Sequence, residues 1–281
     1  MKYIFLGLIV LYSFTLAQAQ TVRNESLLEK NWKFSKGDFP SAGQADFDDK
    51  SWEEVTVPHD WAIYGPFDRK YDLQEVAITQ NGESVATVKT GRTGGLPYIG
   101  VGWYRKTFDV GSFAKEKNRV TLLFDGAMSE ARVYVNGKEA IFWPFGYNSF
   151  HCDVTDLLNP DGRNNMLAIR LENKPESSRW YPGAGLYRNV HVIVTGEVHV
   201  PVWGTYITTP HVSKEYASVN LKTRIENSNG QDIRIVTEIR DTDNRIVSKK
   251  DNTQKINHGK PFEQNLIVNN PRLWSPEDPY L

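Results

Sequence analysis

Ala131-Arg-Val-Tyr-Val135, then Asn136-Gly137, then Lys138-Glu-Ala-Ile-Phe-Trp143 is the stretch that decides the fold class. Two runs that suit strands flank a dipeptide whose residues both tolerate positive φ, the strongest short-range signal for a β-hairpin. The pattern repeats outward from there. Upstream, Arg119-Val-Thr-Leu-Leu-Phe124 is closed by Asp125-Gly126; downstream, residues 166–171 and 190–194 alternate in the same way. Long helical periodicity is missing, and the best helix candidates are residues 26–32 and a turn around 155–158. Many strands with few helices predict an all-β sandwich or barrel.

A second block begins near Val198. Val219, Leu221, Thr223 and Ile225 alternate with Asn220, Lys222, Arg224 and Glu226. Ile233, Ile235, Thr237 and Ile239 alternate with Arg234, Val236, Glu238 and Arg240. This period of two predicts antiparallel strands with one buried and one wet face. Residues 200–281 offer roughly seven such pieces, which suits a small immunoglobulin-like sandwich. Seven of the eight tryptophans precede residue 204, and that shift places a boundary at residues 197–201. Residues 68–92 are polar and turn-rich; within them 76–79 and 85–89 can pair as a small hairpin, in a surface insertion or in a loop bordering a site.

Composition narrows the classes of function. With 33 basic and 34 acidic residues the net charge is -1, which gives no electrostatic reason to expect nucleic acid or an anionic membrane as partner. An apolar share of 40% with 24% charged residues is globular rather than disordered. One cysteine, Cys152, excludes an intrachain disulfide framework and a cysteine-based zinc site. Residues 1–19 read as a secretory signal: Lys2, an apolar run over 3–16, then Ala17-Gln18-Ala19 for cleavage. The run is too short for a bilayer span, which needs roughly 20 apolar residues. A periplasmic or secreted bacterial protein is expected, with no membrane span.

Three stretches together carry a resemblance. The first is Asn31-Trp-Lys-Phe34 with Phe47-Asp-Asp-Lys-Ser-Trp52 and Val57-Pro-His-Asp-Trp61. The second is Gly102-Trp-Tyr-Arg-Lys-Thr-Phe108 with Phe124-Asp-Gly-Ala-Met-Ser-Glu-Ala131 and Val135-Asn-Gly-Lys138. The third is Ser178-Arg-Trp-Tyr-Pro-Gly-Ala-Gly-Leu-Tyr-Arg188. Their order and spacing resemble the N-terminal part of glycoside hydrolase family two, the family of β-galactosidases, β-mannosidases and β-glucuronidases. Pro271-Arg-Leu-Trp-Ser-Pro-Glu-Asp-Pro-Tyr-Leu281 is similar to the segment that ends that family's second domain. Trp61-Ala-Ile-Tyr-Gly-Pro-Phe67 and Gly94-Gly-Leu-Pro97 are closest to β-galactosidases of gut-type bacteria. The resemblance implies a jelly-roll, galactose-binding-like sandwich over 20–198, then an immunoglobulin-like sandwich over 199–281. It further implies a (β/α)₈ barrel beyond, of about 250 residues, carrying two catalytic glutamates. The chain is therefore expected to be the front of a retaining exo-β-glycosidase, inactive by itself and associating into oligomers in the full-length enzyme. The alternative is a stand-alone carbohydrate-binding or structural β-sandwich.

Retaining glycosidases need two carboxyl groups about 5–5.5 Å apart. None of the 34 acidic residues forms a defensible pair, so no catalytic residue is assigned; Glu172 and Glu226 read as strand residues on wet faces. A pyranose ring is held by an aromatic face plus planar hydrogen-bonding groups. Arg179-Trp180-Tyr181, braced by Pro182-Gly183-Ala184-Gly185, supplies both. The resemblance implies that this loop reaches the terminal sugar, making Arg179, Trp180 and Tyr181 substrate contacts; the alternative is that Trp180 and Tyr181 pack the loop against the sandwich. Asp60 is a further candidate for sugar hydroxyls, although His59 and Asp60 equally suit the ordering of a turn. Alternation puts Tyr104 opposite Trp103 and Arg105, as sandwich core. Gly183-Ala-Gly185 lacks the third glycine and helix of a dinucleotide site. His191 and His199 lack a carboxylate cluster for zinc, and Cys152 reads as a structural thiol. No cofactor or metal is expected; carbohydrate is the expected partner.

Overall fold

A computed structural model of the chain describes residues 23–68, 75–79, 82, 84–85, 87–90, 98, 100–111, 115–174, 183–228, 230–257 and 259–280. Seventeen strands follow one another: β1 (Asn24–Leu27), β2 (Trp32–Lys36), β3 (Glu53–Val55), β4 (Glu75–Ile78), β5 (Thr87–Thr90) and β6 (Gly100–Phe108). Then come β7 (Asn118–Phe124), β8 (Ala131–Val135), β9 (Lys138–Trp143), β10 (Phe150–Asp153), β11 (Asn165–Asn173) and β12 (Val190–Gly196). The last five are β13 (Thr205–Val212), β14 (Tyr216–Thr223), β15 (Asp232–Arg240), β16 (Ile246–Lys255) and β17 (Phe262–Asn269). The only helical turn among the described residues is a 3₁₀ turn over Thr155–Leu157.

A four-stranded sheet, β1-β12-β7-β10, faces a six-stranded sheet, β3-β2-β6-β11-β8-β9, and the pairings are antiparallel. Alternation decides what lies between them. Val120, Leu122 and Phe124 of β7 meet Tyr104 of β6 and Leu167, Ile169 and Leu171 of β11 in one continuous core. Phe124 and Phe150 stack with centroids 4.7 Å apart. Each such side chain contributes roughly 1.5–3 kcal/mol by leaving water. The β8–β9 hairpin turns on Asn136 (φ 50°) and Gly137 (φ 84°), as the Asn-Gly signal requires.

The residue alternation of β6 places Tyr104 inward and Trp103 and Arg105 on the opposite face. That outer face is covered by loop 37–52, where Ala42, Trp52, Trp103 and Ala168 form a second small core with Phe39 and Phe47. Beyond β12 the strands form a three-stranded sheet, β13-β14-β17, and a two-stranded sheet, β15-β16. The chain is all-β: a jelly-roll sandwich followed by an immunoglobulin-like one. The predicted hairpin in 68–92 is present as β4 paired with β5, Val76 opposite Lys89.

Three expectations are corrected. Residues 26–32 are not helical: Ser26 pairs with Val192 at the sheet edge, and the chain turns at Asn31 (φ 60°) into β2. The Leu28–Trp32 spacing that looked helical is used instead by a turn, in which Trp32 Nε1 donates to Leu28 O at 2.8 Å. The second block holds five strands rather than seven among the described residues, β13 to β17, and the alternation read over 233–240 is β15. Glu226 lies outside the strands, in an isolated bridge with His199.

Candidate functional site

One end of the first sandwich gathers its long connections. Phe124, the last residue of β7, pairs with the first residues of β10 and β12, Phe150 and Val190. Asn173, the last of β11, pairs with Gly100, the first of β6. Ala131, the first of β8, pairs with Trp143, the last of β9. Among the described residues, 59–62, 125–130, 144–149 and 183–189 gather there.

The first segment is built inward from Val57. His59 N donates to Leu186 O at 2.8 Å, and the Tyr104 hydroxyl lies 2.7 Å from His59 Nδ1. Phe34 packs edge-on to His59 with centroids 4.9 Å apart. Burial holds the His59 imidazole below its ordinary range, so it is a neutral hydrogen-bonding group. Trp61 stacks on Phe34 at 5.6 Å and lies over Gly102, where a Cβ would come within 2.6 Å of its ring. Asp60, between these anchors, accepts from Ala62 N at 2.9 Å through Oδ1 and orders the turn. Its Oδ2 faces Gly183, where an added Cβ would sit 3.7 Å away.

The 174–189 segment is clipped to this frame from several sides. The buried side chain of Asn173 donates to Gly183 O at 3.0 Å, tying the two stems together across ten residues. Gly185 (φ 104°) and Met128 exchange backbone hydrogen bonds of 2.9 and 3.0 Å. A side chain at Gly185 would meet the Tyr104 hydroxyl and His59 O, so glycine is required by space as well as by φ. Tyr187 Oη donates to Gly146 O at 2.7 Å, drawing in segment 144–149. Arg179, Trp180 and Tyr181 lie outside the described residues, between the two tied stems. Asp60 is thus brought beside Gly183, the first described residue after them. Asn173, Tyr104 and Met128 were not singled out as site-building residues by the sequence, because each reads as an ordinary strand or turn residue. The Gly-Ala-Gly stretch was the one available signal.

Nearby carboxylates are engaged elsewhere. Glu130 pairs with Lys174 at 3.2 Å, Glu172 with Arg170 at 2.8 Å and Asp125 with His191 at 2.9 Å. His191 bridges Glu25 and Asp125, and His199 faces Glu226 at 3.7 Å. Among the described residues no group of three metal-ligating side chains exists, and no helix is long and apolar enough to cross a membrane. Cys152 is buried and its thiol is pushed up to about 12, which makes it inert.

Comparison with known proteins gives the same order of parts. Residues 25–196 match the model for the glycosyl hydrolases family 2 sugar binding domain, and residues 198–281 match a second model, glycosyl hydrolases family 2. A β-galactosidase of Bacteroides ovatus is 36% identical over 264 residues, covering 92% of this chain and 29% of its own length. A β-glucuronidase of Formosa agariphila is 27% identical, covering 89% of this chain and 26% of its own. A solved glycosyl hydrolase family 2 member from Bacteroides cellulosilyticus superposes with a TM-score of 0.77 at 28% identity, over 91% of this chain and 32% of its own. The chain thus spans about a third or less of the relatives it matches. On the match of both segments in sequence order, this chain belongs to glycosyl hydrolases family 2.

Proposed function

We propose that this chain is the front portion of an exported retaining exo-β-glycosidase that removes terminal β-galactosyl units, and that it supplies sugar contacts rather than the reacting carboxyl groups. In this reading residues 1–19 are a cleaved export signal, 20–198 the sugar-contacting sandwich and 199–281 the second sandwich, in a periplasmic or secreted enzyme. The observation that carries it is the hydrogen bond from Asn173 to Gly183, with Asp60 beside Gly183. That geometry sets a carboxylate beside Gly183, and in this reading Arg179, Trp180 and Tyr181, which precede it in sequence, join Asp60 around the sugar. The galactoside reading leans on the 36% identity to a β-galactosidase, against 31% to a putative β-glucuronidase of Formosa agariphila.

The test is kinetic. In the full-length enzyme, Arg179→Ala raises KM for a nitrophenyl β-galactoside and lowers kcat/KM by about tenfold, with the melting temperature unchanged. Unchanged kinetics removes Arg179 from the site. A higher kcat/KM for the matching glucuronide moves the substrate to the uronide class. The 281-residue chain alone releases no nitrophenol; measurable turnover by it would overturn the placement of the carboxyl groups elsewhere.

A further inference from the structure

The six-stranded sheet has a second concave surface, on the face turned away from the core. Tyr104 points inward to His59 and Trp61. Its neighbour Trp103 points outward, as do Arg132 and Tyr134 of β8 and Arg170 and Glu172 of β11. With Phe142 of β9, Asp38 of the covering loop, Glu130 and Lys174 they line a cleft of about 490 Å³. That volume lies within the range of small-ligand sites, roughly 300–1,000 Å³. The cleft and the His59–Asp60 segment lie on opposite faces of one sheet.

Three features of the cleft point to one ligand chemistry. Its charges balance: Arg132, Arg170 and Lys174 face Asp38, Glu130 and Glu172. Such a lining has no net charge with which to capture an anion or a cation. Its polar groups are also fixed in advance. Arg170, only 18% exposed, meets both oxygens of Asp38 at 3.1 and 2.9 Å and Glu172 at 2.8 Å. Three of its five N–H groups are used in this way, which leaves donors beside the carboxylate oxygens. Finally, the cleft has an aromatic wall. Phe142 is 39% exposed with the Arg132 guanidinium 4.4 Å above its ring, and Tyr134 stacks on Trp103 at 5.9 Å. Alternating donors and acceptors beside an apolar ring match a molecule with hydroxyls on its rim and C–H groups on its face.

We propose that this cleft, on the face of the sheet opposite His59 and Asp60, binds a neutral saccharide of one or two rings. The site does not depend on the glycosidase reading, since every group it uses lies in the described first sandwich. Bound sugar hydroxyls exchange hydrogen bonds with Arg170, Glu172 and Asp38, and one ring face rests against Phe142.

Trp103 gives a local reporter, because its Nε1–H lies 3.4 Å from Asp38 Oδ1 at the floor of the cleft. The whole chain is titrated with lactose, maltose and glucuronic acid while the Trp103 indole N–H resonance is followed, assigned through a Trp103→Phe variant. At least one neutral disaccharide shifts the resonance to saturation, and glucuronic acid binds at least about tenfold more weakly. Phe142→Ala and Arg132→Ala each weaken the neutral sugar by about three- to tenfold. Asp60→Ala leaves that affinity unchanged, which separates this site from the loop end. The proposal is overturned if neither disaccharide shifts the resonance, if both cleft variants bind as the parent does, if Asp60→Ala abolishes the shift, or if the uronic acid binds best.

Discussion

Arg105 has no exposed surface, yet each branch of its guanidinium is used. Nε donates to Asp49 Oδ2 at 2.8 Å, Nη1 to Gln44 O at 2.8 Å and also to Ala42 O, and Nη2 to Ala45 O at 3.3 Å and Phe47 O at 3.4 Å. One buried cation thereby shapes loop 37–52, with Phe47 stacked 5.3 Å from it. Removing it strands a carboxylate and four carbonyls, so Arg105→Met costs about 3–5 kcal/mol in urea denaturation. Arg105→Lys recovers little of this, because one ammonium cannot span a planar fork of acceptors. A lysine variant as stable as the parent would show that charge alone matters here. His59 supports a second measurement. The folded chain resists the proton that the unfolded imidazole accepts near its ordinary value of about 6.5. Its contribution is complete above that pH and is lost as the pH falls toward the depressed folded value. His59→Gln keeps a partner for Tyr104 without the ionisation, so its stability declines less steeply below pH ~6.5. Parallel profiles for parent and variant would refute the assignment.

At the scale of elements, alternation and turn chemistry carried most of the fold. The β8–β9 hairpin was legible because only a few dipeptides accept two positive φ values in succession. Asn136 adds what no local signal encodes: its side chain donates to Leu157 O at 2.9 Å and to Asn165 Oδ1 at 3.0 Å, and accepts from Met166 N at 2.8 Å. The false helix over 26–32 came from local spacing, which a distant partner, β12, overrode. Loop 37–52 was illegible for a related reason. A charged residue in an alternating strand normally marks the wet face, and nothing local reveals that Arg105 is roofed by a loop some 60 positions away. Part of the candidate site was legible: Gly183-Ala-Gly185 read as a brace for the preceding segment, and Asp60 as ordering a turn. The tie from Asn173 to Gly183 was not, since an asparagine ending a strand looks like any other.

The whole molecule pairs a well-filled sandwich with a more open one. In the first, Trp32, Tyr104, Phe124, Phe150, Leu167 and Ile169 are all under 2% exposed or at most 2% exposed. In the second, the buried apolar set among the described residues is Val202, Ala217, Leu221, Ile256, Phe262 and Leu266. A groove of about 740 Å³, bordered by Leu221, Ile225, Ile233 and Ile235, opens between its sheets and reaches the linker at Val198 and Val200. Val236, Ile246, Val247 and Ile267 are more than 40% exposed. The apolar area removed from water, and the stability that follows from it, is therefore smaller for β13–β17. Contacts between the two units are modest: Arg23 Nη1 to Val200 O at 3.3 Å, Asn227 Nδ2 to Glu197 O at 3.0 Å, and Trp203 edge-on to His151 at 5.0 Å. Weak coupling between units of unequal stability separates their unfolding. Calorimetry of this chain should show two transitions, the lower one belonging to β13–β17. Phe262→Ala, a loss of about 3–5 kcal/mol from a buried ring, moves only the lower transition. Phe124→Ala moves only the upper one. A single transition shifted by both substitutions would mean that the linker contacts bind the sandwiches into one cooperative unit, and the open groove would then cost the molecule less than its exposed isoleucines imply.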